Sequence, residues 1–373
     1  MSRERVIALL GRRDEPTDAV EEYCRHLGAA LAEDSSSVEI RRVPWNEHGW
    51  RASLDALRLQ AESWRGISVL VQYTALAWSP RGFPQRFLRV LGILRKAGAR
   101  IVVVFHDAEP FGGARLIDRI RRSIQVNVMR DAVAFSDYSV ITVPAVRLSW
   151  LREPRDNVCF IPVGANLPEP LLQQDHDVLH EPPAIAVYGI TGGESGDRET
   201  QQIVRSVRYA AEKIGRLRLL VFGRHAETRG DALRAGFGDS RVEVCVEGVI
   251  EGDALVERFA ASDVLLFLRG TISSRRGSAI AGIACGLPVV GLRGAETDAP
   301  ITEAGVILFE DDPDCGKTAS RIGEALARVF SDEAYRRDLN LRSRQAQGDF
   351  FSWPAIARGY SNLLRREGPP ERV

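Results

Sequence analysis

The chain has 373 residues, 45% hydrophobic and 27% charged, which at roughly 100–200 residues per domain is enough for two globular domains with separate cores. Fifty Lys and Arg balance fifty Asp and Glu, and a zero net charge argues against a nucleic-acid binder, which normally carries a basic excess. The longest aliphatic runs, Ile101–Phe105 and Val264–Leu268, are far shorter than the ~20 residues that cross a bilayer.

The apolar stretch Val6–Leu10 behind the charged start is too short for a signal peptide and reads as a first strand. Further strands are predicted at Val38–Val43, Ser68–Gln72, Arg100–Phe105, Tyr138–Val143 and Val158–Ile161. Amphipathic helices lie between them over Ala19–Leu31, Ser53–Ala61, Pro84–Ala97 and Arg115–Ala134. Ile101-Val-Val-Val-Phe is continuously apolar, as a parallel strand covered on both faces must be. Residues 1–165 therefore read as a doubly wound, Rossmann-like α/β domain.

Residues 166–183, with Pro168, Pro170, Pro182 and Pro183 around a polar centre, read as a linker. A second series follows, with strands at Ala184–Tyr188, Arg218–Phe222, Val242–Val246, Val264–Leu268, Pro288–Leu292 and Val306–Phe309. Its helices are Glu199–Ile214, Gly252–Ala261, Ser278–Cys285 and Thr318–Phe330. Residues 184–350 thus form a second doubly wound domain, and 351–373 hold an amphipathic helix with Pro354 in its first turn. Two such domains are expected to face each other across an interdomain cleft, because open α/β sheets bind ligands at the carboxyl ends of their strands. The five cysteines are scattered and never in a Cys-x-x-Cys pair, which points to a reducing, cytoplasmic setting without a disulfide frame or zinc site.

Three segments carry chemical content. Tyr188-Gly189-Ile-Thr-Gly192-Gly193-Glu-Ser-Gly196-Asp-Arg198 lies between a strand and a helix, where backbone N–H groups and the helix dipole favour an anion. Arg198 would add charge; a flexible loop is the competing reading. Ser273-Ser274-Arg275-Arg276-Gly277-Ser278 opens a helix of small residues closed by Gly286, with Ser278 as candidate N-cap and the two arginines placed for an anion. A capped packing helix with a solvated arginine pair competes here, as does an arrangement in which only the first arginine is functional. His106 ends a strand and precedes Asp107 and Glu109, a position suited to a sugar hydroxyl or to proton transfer. The alternative is a histidine satisfied by a backbone carbonyl. Cys315-Gly316-Lys317-Thr318 fails as a P-loop because Asp311 stands where the first glycine belongs, and His176 with His180 lack further metal ligands. Arg115, Arg119, Arg121 and Arg122 make a basic helix edge, read as a solvated face or as a peripheral contact to an anionic acceptor or membrane surface.

Several stretches, taken in order, carry a resemblance: Val104-Phe-His106-Asp107, Ala134-Phe-Ser-Asp137 and Ile161-Pro-Val-Gly164 in the first half; Leu220-Val-Phe-Gly223, Val246-Glu-Gly248-Val249, Ala261-Ser-Asp263-Val-Leu-Leu and Ala284-Cys-Gly-Leu-Pro288-Val-Val in the second. Over nearly its whole length the chain resembles the GT-B glycosyltransferases of family four. The resemblance implies a nucleotide-sugar donor held by the C-terminal domain, an acceptor hydroxyl held by the N-terminal domain, transfer with retention, and neither a catalytic metal nor a cofactor. It puts the donor diphosphate beside Gly192, Gly193 and the Ser274–Ser278 segment, Gly277 included, with His106 near the transferred sugar and the base near Gly248 and Val249. Glu296 or Asp298 would face the donor sugar, and the tail helix from Phe351-Ser352-Trp353 would cross back to the first domain. Trp78, Arg81 and Gly82, within Tyr73–Pro84, would shape the acceptor side. Two departures stand out: Ser273 and Ala281 occupy the positions of the family's glutamate pair, and Ile190 that of an arginine. Arg275, Arg276 and Arg198 are then the candidates for phosphate charge. The rival readings are a scaffold that has lost donor binding, serving as a partner subunit, and a nucleotide-sugar isomerase.

Overall fold

The computed structural model describes residues 4–366 apart from 16, 35, 152, 154, 168–177, 239–240 and 313–314. Much of the expected linker, including Pro168, Pro170 and His176, and the last residues of the expected tail therefore lie outside the described residues. The chain forms two units, Met1–Val163 with Trp353–Val373, and Gly164–Ser352.

In the first unit, strands β1 (Glu4–Leu10), β2 (Ser36–Arg42), β3 (Ser68–Tyr73), β4 (Arg100–Phe105), β5 (Tyr138–Ile141) and β6 (Val158–Phe160) form one parallel sheet in the order β2-β1-β3-β4-β5-β6. All six β3 residues are buried, as a strand covered on both faces requires. The covering helices are α1 (Ala19–Glu33), α2 (Trp45–Ala61), α3 (Phe87–Ala97) and α4 (Leu116–Phe135). Asp18 starts α1 by accepting the N–H groups of Val20 and Glu21, both at 3.1 Å, while Arg42 at the end of β2 bridges Asp18 and Glu21. Gly98 ends α3 in the left-handed conformation at φ 74°.

The second unit holds β7 (Ala184–Tyr188), α5 (Gly193–Ile214), β8 (Leu217–Phe222), α6 (Ala226–Gly236), β9 (Val242–Val246), α7 (Asp253–Ala260), β10 (Val264–Thr271), α8 (Gly277–Ala284), β11 (Val289–Leu292), β12 (Val306–Phe309), α9 (Cys315–Ser331) and α10 (Glu333–Ala346). Its sheet is also parallel, in the order β12-β11-β10-β7-β8-β9. The fold is therefore α/β with two doubly wound, Rossmann-like sheets. In each sheet the order reverses beside the first strand, between β1 and β3 and between β7 and β10, and such reversals leave a crevice at the carboxyl edge.

The two Ser-Asp stretches have the same architectural role. The Asp137 carboxylate, just before β5, accepts the Ile101 N–H of β4 at 2.7 Å and pairs with Arg95. Asp263, just before β10, accepts the Ala184 N–H of β7 at 2.7 Å and also engages His180. Each satisfies a backbone donor at a strand start that would otherwise be buried without a partner.

Four elements depart from the sequence reading. Helix α5 begins at Gly193, six residues before the predicted Glu199, so the glycine segment supplies its first turn. Strand β10 continues past Leu268 to Thr271 and carries Arg269. Helices α6 and α10 are mostly polar, and their thin apolar stripes gave no clear period. The final helix, α11 (Trp353–Leu364), belongs to the first unit. There the Tyr23 hydroxyl donates to Tyr360 at 3.0 Å, Ser361 donates to Asp34 at 2.8 Å, and the Arg100 guanidinium closes the helix on the carbonyls of Leu363, Leu364 and Arg366.

Candidate functional site

In the second unit the carboxyl edge at the β7–β10 reversal is lined by glycines and arginines. Gly189 leaves β7 at φ 75°, and a Cβ there would lie 2.9 Å from Nη1 of Arg269. The glycine thus lets a guanidinium from β10 lie against the chain. Beside it, Gly223 donates its N–H to the Gly248 carbonyl at 2.8 Å, so Gly248, Gly223 and Gly189 run along one edge. Val249 follows with an exposed side chain, and a Cβ on Gly248 would meet the Glu227 carboxyl at 2.6 Å.

From the end of β10 the chain turns through buried Ser273 and Ser274 into α8. Arg275 makes a two-bond fork with Glu296, Nε–Oε2 2.7 Å and Nη2–Oε1 2.9 Å, and the Ser273 hydroxyl donates to the same carboxylate at 3.1 Å. Burial by itself would raise the Glu296 carboxyl; the Arg275 fork, Arg276 and Ser273 outweigh it and hold it below the usual range. Arg276 forms no ion pair of its own among the described residues and feels Glu296 only at longer range. Burial, reinforced by the positive neighbours Arg275 and Arg269 and opposed in part by Glu296, lowers its pKa to about 10, and its Nε has no hydrogen-bond partner among the described residues.

These contacts correct the reading of the arginine pair. Arg275, the expected anion contact, is neutralised by Glu296, whereas Arg276 is largely buried rather than solvated. Ser278 is not the cap either: Arg276 occupies the capping position without a side-chain bond to the helix, and Ser278 lies in the first turn. Glu296 is spent on this ion pair, and Asp298 accepts the neighbouring Ala299 N–H at 2.8 Å.

The glycine segment is also changed. Gly192 takes the capping position of α5 without a side-chain bond, and Gly193 begins the helix at φ 65°. A buried acid serves this turn: the Thr191 N–H donates to Glu199 at 2.9 Å, and burial raises the Glu199 pKa. Arg229 binds the Gly193 carbonyl at 2.7 Å and pairs with Asp197, while Arg198 is exposed on α5. His225 sits in the left-handed region at φ 61°, and its ring lies where a Cβ on Gly192 would approach to 3.2 Å.

The sequence reading missed Arg269, His225, Glu199 and Arg229. One of them had a signal, since Arg269, like His106, directly follows the apolar core of a strand. A groove of about 600 Å³ between α5 and α6, lined by residues including Thr200, Val204, Arg208 and Gly236, contains none of the Ser274–Ser278 stretch.

In the first unit His106 follows β4. Its Nε2 lies 2.7 Å from Oε1 of buried Gln72, whose amide nitrogen reaches the Leu70 carbonyl at 3.2 Å. With that amide donating to Leu70, Oε1 accepts, so Nε2 carries the hydrogen and Nδ1 keeps a lone pair. Burial, opposed weakly by Asp18, lowers the His106 pKa to about 4 and keeps the ring neutral at pH 7. Tyr23 supports it edge-on at 5.1 Å. The neighbouring acids are structural: Asp107 accepts the Ala75 N–H at 2.6 Å, and Glu109 accepts the N–H and hydroxyl of Ser149.

Of the acceptor-side residues, Trp78 is a correction. It is 1% exposed, packs on Phe87, and donates its indole N–H to the Gln72 carbonyl at 2.9 Å, so the ring is core rather than ligand surface. Gly82 forms a turn at φ 71° whose carbonyl accepts from Gln125 at 2.8 Å. Arg81 alone of the three presents a side chain to solvent.

No protein-family model and no curated protein matches the chain. Solved structures do. HepE of Anabaena, in complex with UDP and glucose, shares 14% identity with a TM-score of 0.64, over 97% of this chain and 99% of that one. The fold is GT-B. A glycosyltransferase from Rickettsia africae gives 12% identity and a TM-score of 0.65 over 98% of each chain. WaaG, a glycosyltransferase involved in lipopolysaccharide biosynthesis, gives 13% and 0.59 over 96% of this chain and 99% of that one. Among the described residues no helix is long and apolar enough to cross a membrane, and no group of three His, Cys, Asp or Glu side chains is placed to hold a metal.

Proposed function

We propose that this GT-B chain is a glycosyltransferase that moves a sugar from a nucleoside-diphosphate donor to an acceptor hydroxyl, without a metal and with retention, as a relative of family four. The observation that carries the reading is Arg276: a largely buried guanidinium beside Arg275 and Arg269, whose Nε has no hydrogen-bond partner among the described residues, at the start of α8. A largely buried cation without an ion pair of its own among the described residues, at the order reversal of a doubly wound sheet, is a site suited to an anion.

In this reading the donor diphosphate lies against Arg276, Arg269 and the first N–H groups of α8. These stabilise the charge that grows on the diphosphate as the glycosidic bond breaks. Arg275 is a positioning residue, fixed by Glu296. His106, neutral at pH 7, takes a sugar hydroxyl as hydrogen-bond acceptor through Nδ1; with a pKa near 4 it is poorly matched to a general base at that pH. The base lies along Gly248 and Val249, and the acceptor is bound by the first unit, with Arg81 as its solvent-facing charge. Ser273 and Ala281 in place of the glutamate pair mean that the ribose and the donor sugar are held by other groups.

The test is the thermal midpoint of the full chain with UDP, GDP and dTDP in turn, UDP first because the HepE structure contains it. A ligand that binds only the native state must raise the midpoint. An increase with one diphosphate, followed by release of that diphosphate when its sugar donor meets an acceptor, supports transfer. No increase with any of them overturns the proposal and leaves the scaffold reading, which the locked Arg275–Glu296 pair favours.

A further inference from the structure

The first two turns of α4 and the loop before it invert the usual surface pattern. Phe111 (48% exposed), Leu116 (73%), Ile117 (48%) and Ile120 (47%) all stand in solvent within ten residues. The inner side of α4 is already supplied by Gln125, Val128, Met129, Ala132 and Val133, so this apolar surface is additional to the stripe that packs on the sheet. At 100° per residue Leu116 and Ile120 share the outward face, with Ile117 on one flank and Arg119 on the other.

Charge says what covers it. Between residues 111 and 124 there are four arginines and one acid, Asp118, in a chain whose net charge is zero. Asp118 pairs with Arg121 at 2.9 Å, and Arg122 leans on Ser149 and Glu109. Arg115 and Arg119 have no ion pair among the described residues and are exposed beside the apolar face. An apolar face rimmed by arginines suits the boundary of an anionic bilayer, where apolar side chains enter the acyl region and guanidinium groups meet lipid phosphates. A second copy seated on the same patch by two-fold symmetry would set these arginines against their own counterparts.

We infer that the Phe111–Ile120 surface docks the first unit onto the face of a membrane containing anionic lipid. Helix α4 follows β4 directly, so the surface belongs to the same carboxyl edge of the sheet as His106. The inference does not depend on glycosyl transfer.

The test is co-sedimentation of the full chain with phosphatidylcholine vesicles, with and without 30 mol% phosphatidylglycerol. Binding is expected only with the anionic lipid and is expected to fall in high salt. Arg115→Gln and Arg119→Gln should each lower the partition coefficient about fivefold, the ratio equivalent to about 1 kcal/mol per basic residue. Leu116→Ser with Ile120→Ser should abolish binding with the melting midpoint unchanged, since both side chains are exposed. Equal binding to both vesicle types, no binding of the parent chain, or variants that bind like the parent would each overturn the inference. So would a patch variant that converts a dimer to a monomer in light scattering while vesicle binding persists, because a second copy would then cover the face.

Discussion

Replacing Arg276 by methionine should make the ligand-free protein more stable and its nucleotide complex weaker. The guanidinium pKa falls from 12.5 to about 10 in the fold. At about 1.4 kcal/mol per pH unit this is roughly 3 kcal/mol against the charged form, and partial solvent access reduces the net gain on removal to about 1–2 kcal/mol. Below pH 10 the group is charged in both folded and unfolded chains, so the penalty is constant at neutral pH. Between pH 10 and 12.5 only the unfolded chain holds the proton, and folding becomes more favourable as pH rises. Methionine keeps the apolar stem without the charge. The midpoint of the free variant should rise by about 2–8 °C in differential scanning calorimetry. A saturating diphosphate adds about 2.7 kcal/mol at a hundred times its dissociation constant, and the variant should lose most of that increment. A variant less stable than the parent, with an undiminished nucleotide response, would refute the idea that Arg276 is held in readiness for an anion.

His106, with a folded pKa of about 4 against an ordinary 6.5, costs stability as pH falls through that interval. His106→Gln should therefore flatten urea-unfolding stability between pH 7 and pH 4.5 by about 2–3 kcal/mol relative to the parent, and equal acid slopes would contradict the buried neutral ring. Arg275→Ala and Glu296→Gln should couple by at least about 1 kcal/mol in a double-mutant cycle, and Arg275→Ala should weaken diphosphate binding less than Arg276→Met does. Gly282→Ala puts a Cβ 2.5 Å from Cδ2 of Leu265, an overpacking expected to cost about 1–3 kcal/mol in chemical denaturation. EDTA should leave sugar transfer at its original rate; a loss restored by magnesium or manganese would show a metal requirement.

Continuous apolar strands such as Ile101–Phe105 could be read directly, because burial on both faces leaves no other composition. The helices with weak stripes, α6 and α10, could not. At the site, chain position was legible and pairing was not. Arg275 and Arg276 are identical in sequence terms, and only Glu296, arriving from the loop after β11, decides which of them is ion-paired. On sequence alone Trp78 goes to the acceptor side with the whole Tyr73–Pro84 segment, yet its indole turns inward onto the Gln72 carbonyl. Ser278 failed as a cap for a local reason: the helix starts one residue before it. Arg269 escaped notice because a buried strand was expected to stop at its last apolar residue.

The return of Trp353–Leu364 to α1 and Arg100 sets an order of synthesis. As the ribosome works from the amino end, β1–β6 emerge first but lack the helix that covers Tyr23 until residue 364 has been made. Gly164–Ser352 is complete sooner, although it is encoded later. A nascent chain halted near residue 350 would hold a finished second half and an unfinished first one, so a stop codon there harms the end of the protein that lies farthest from it in sequence.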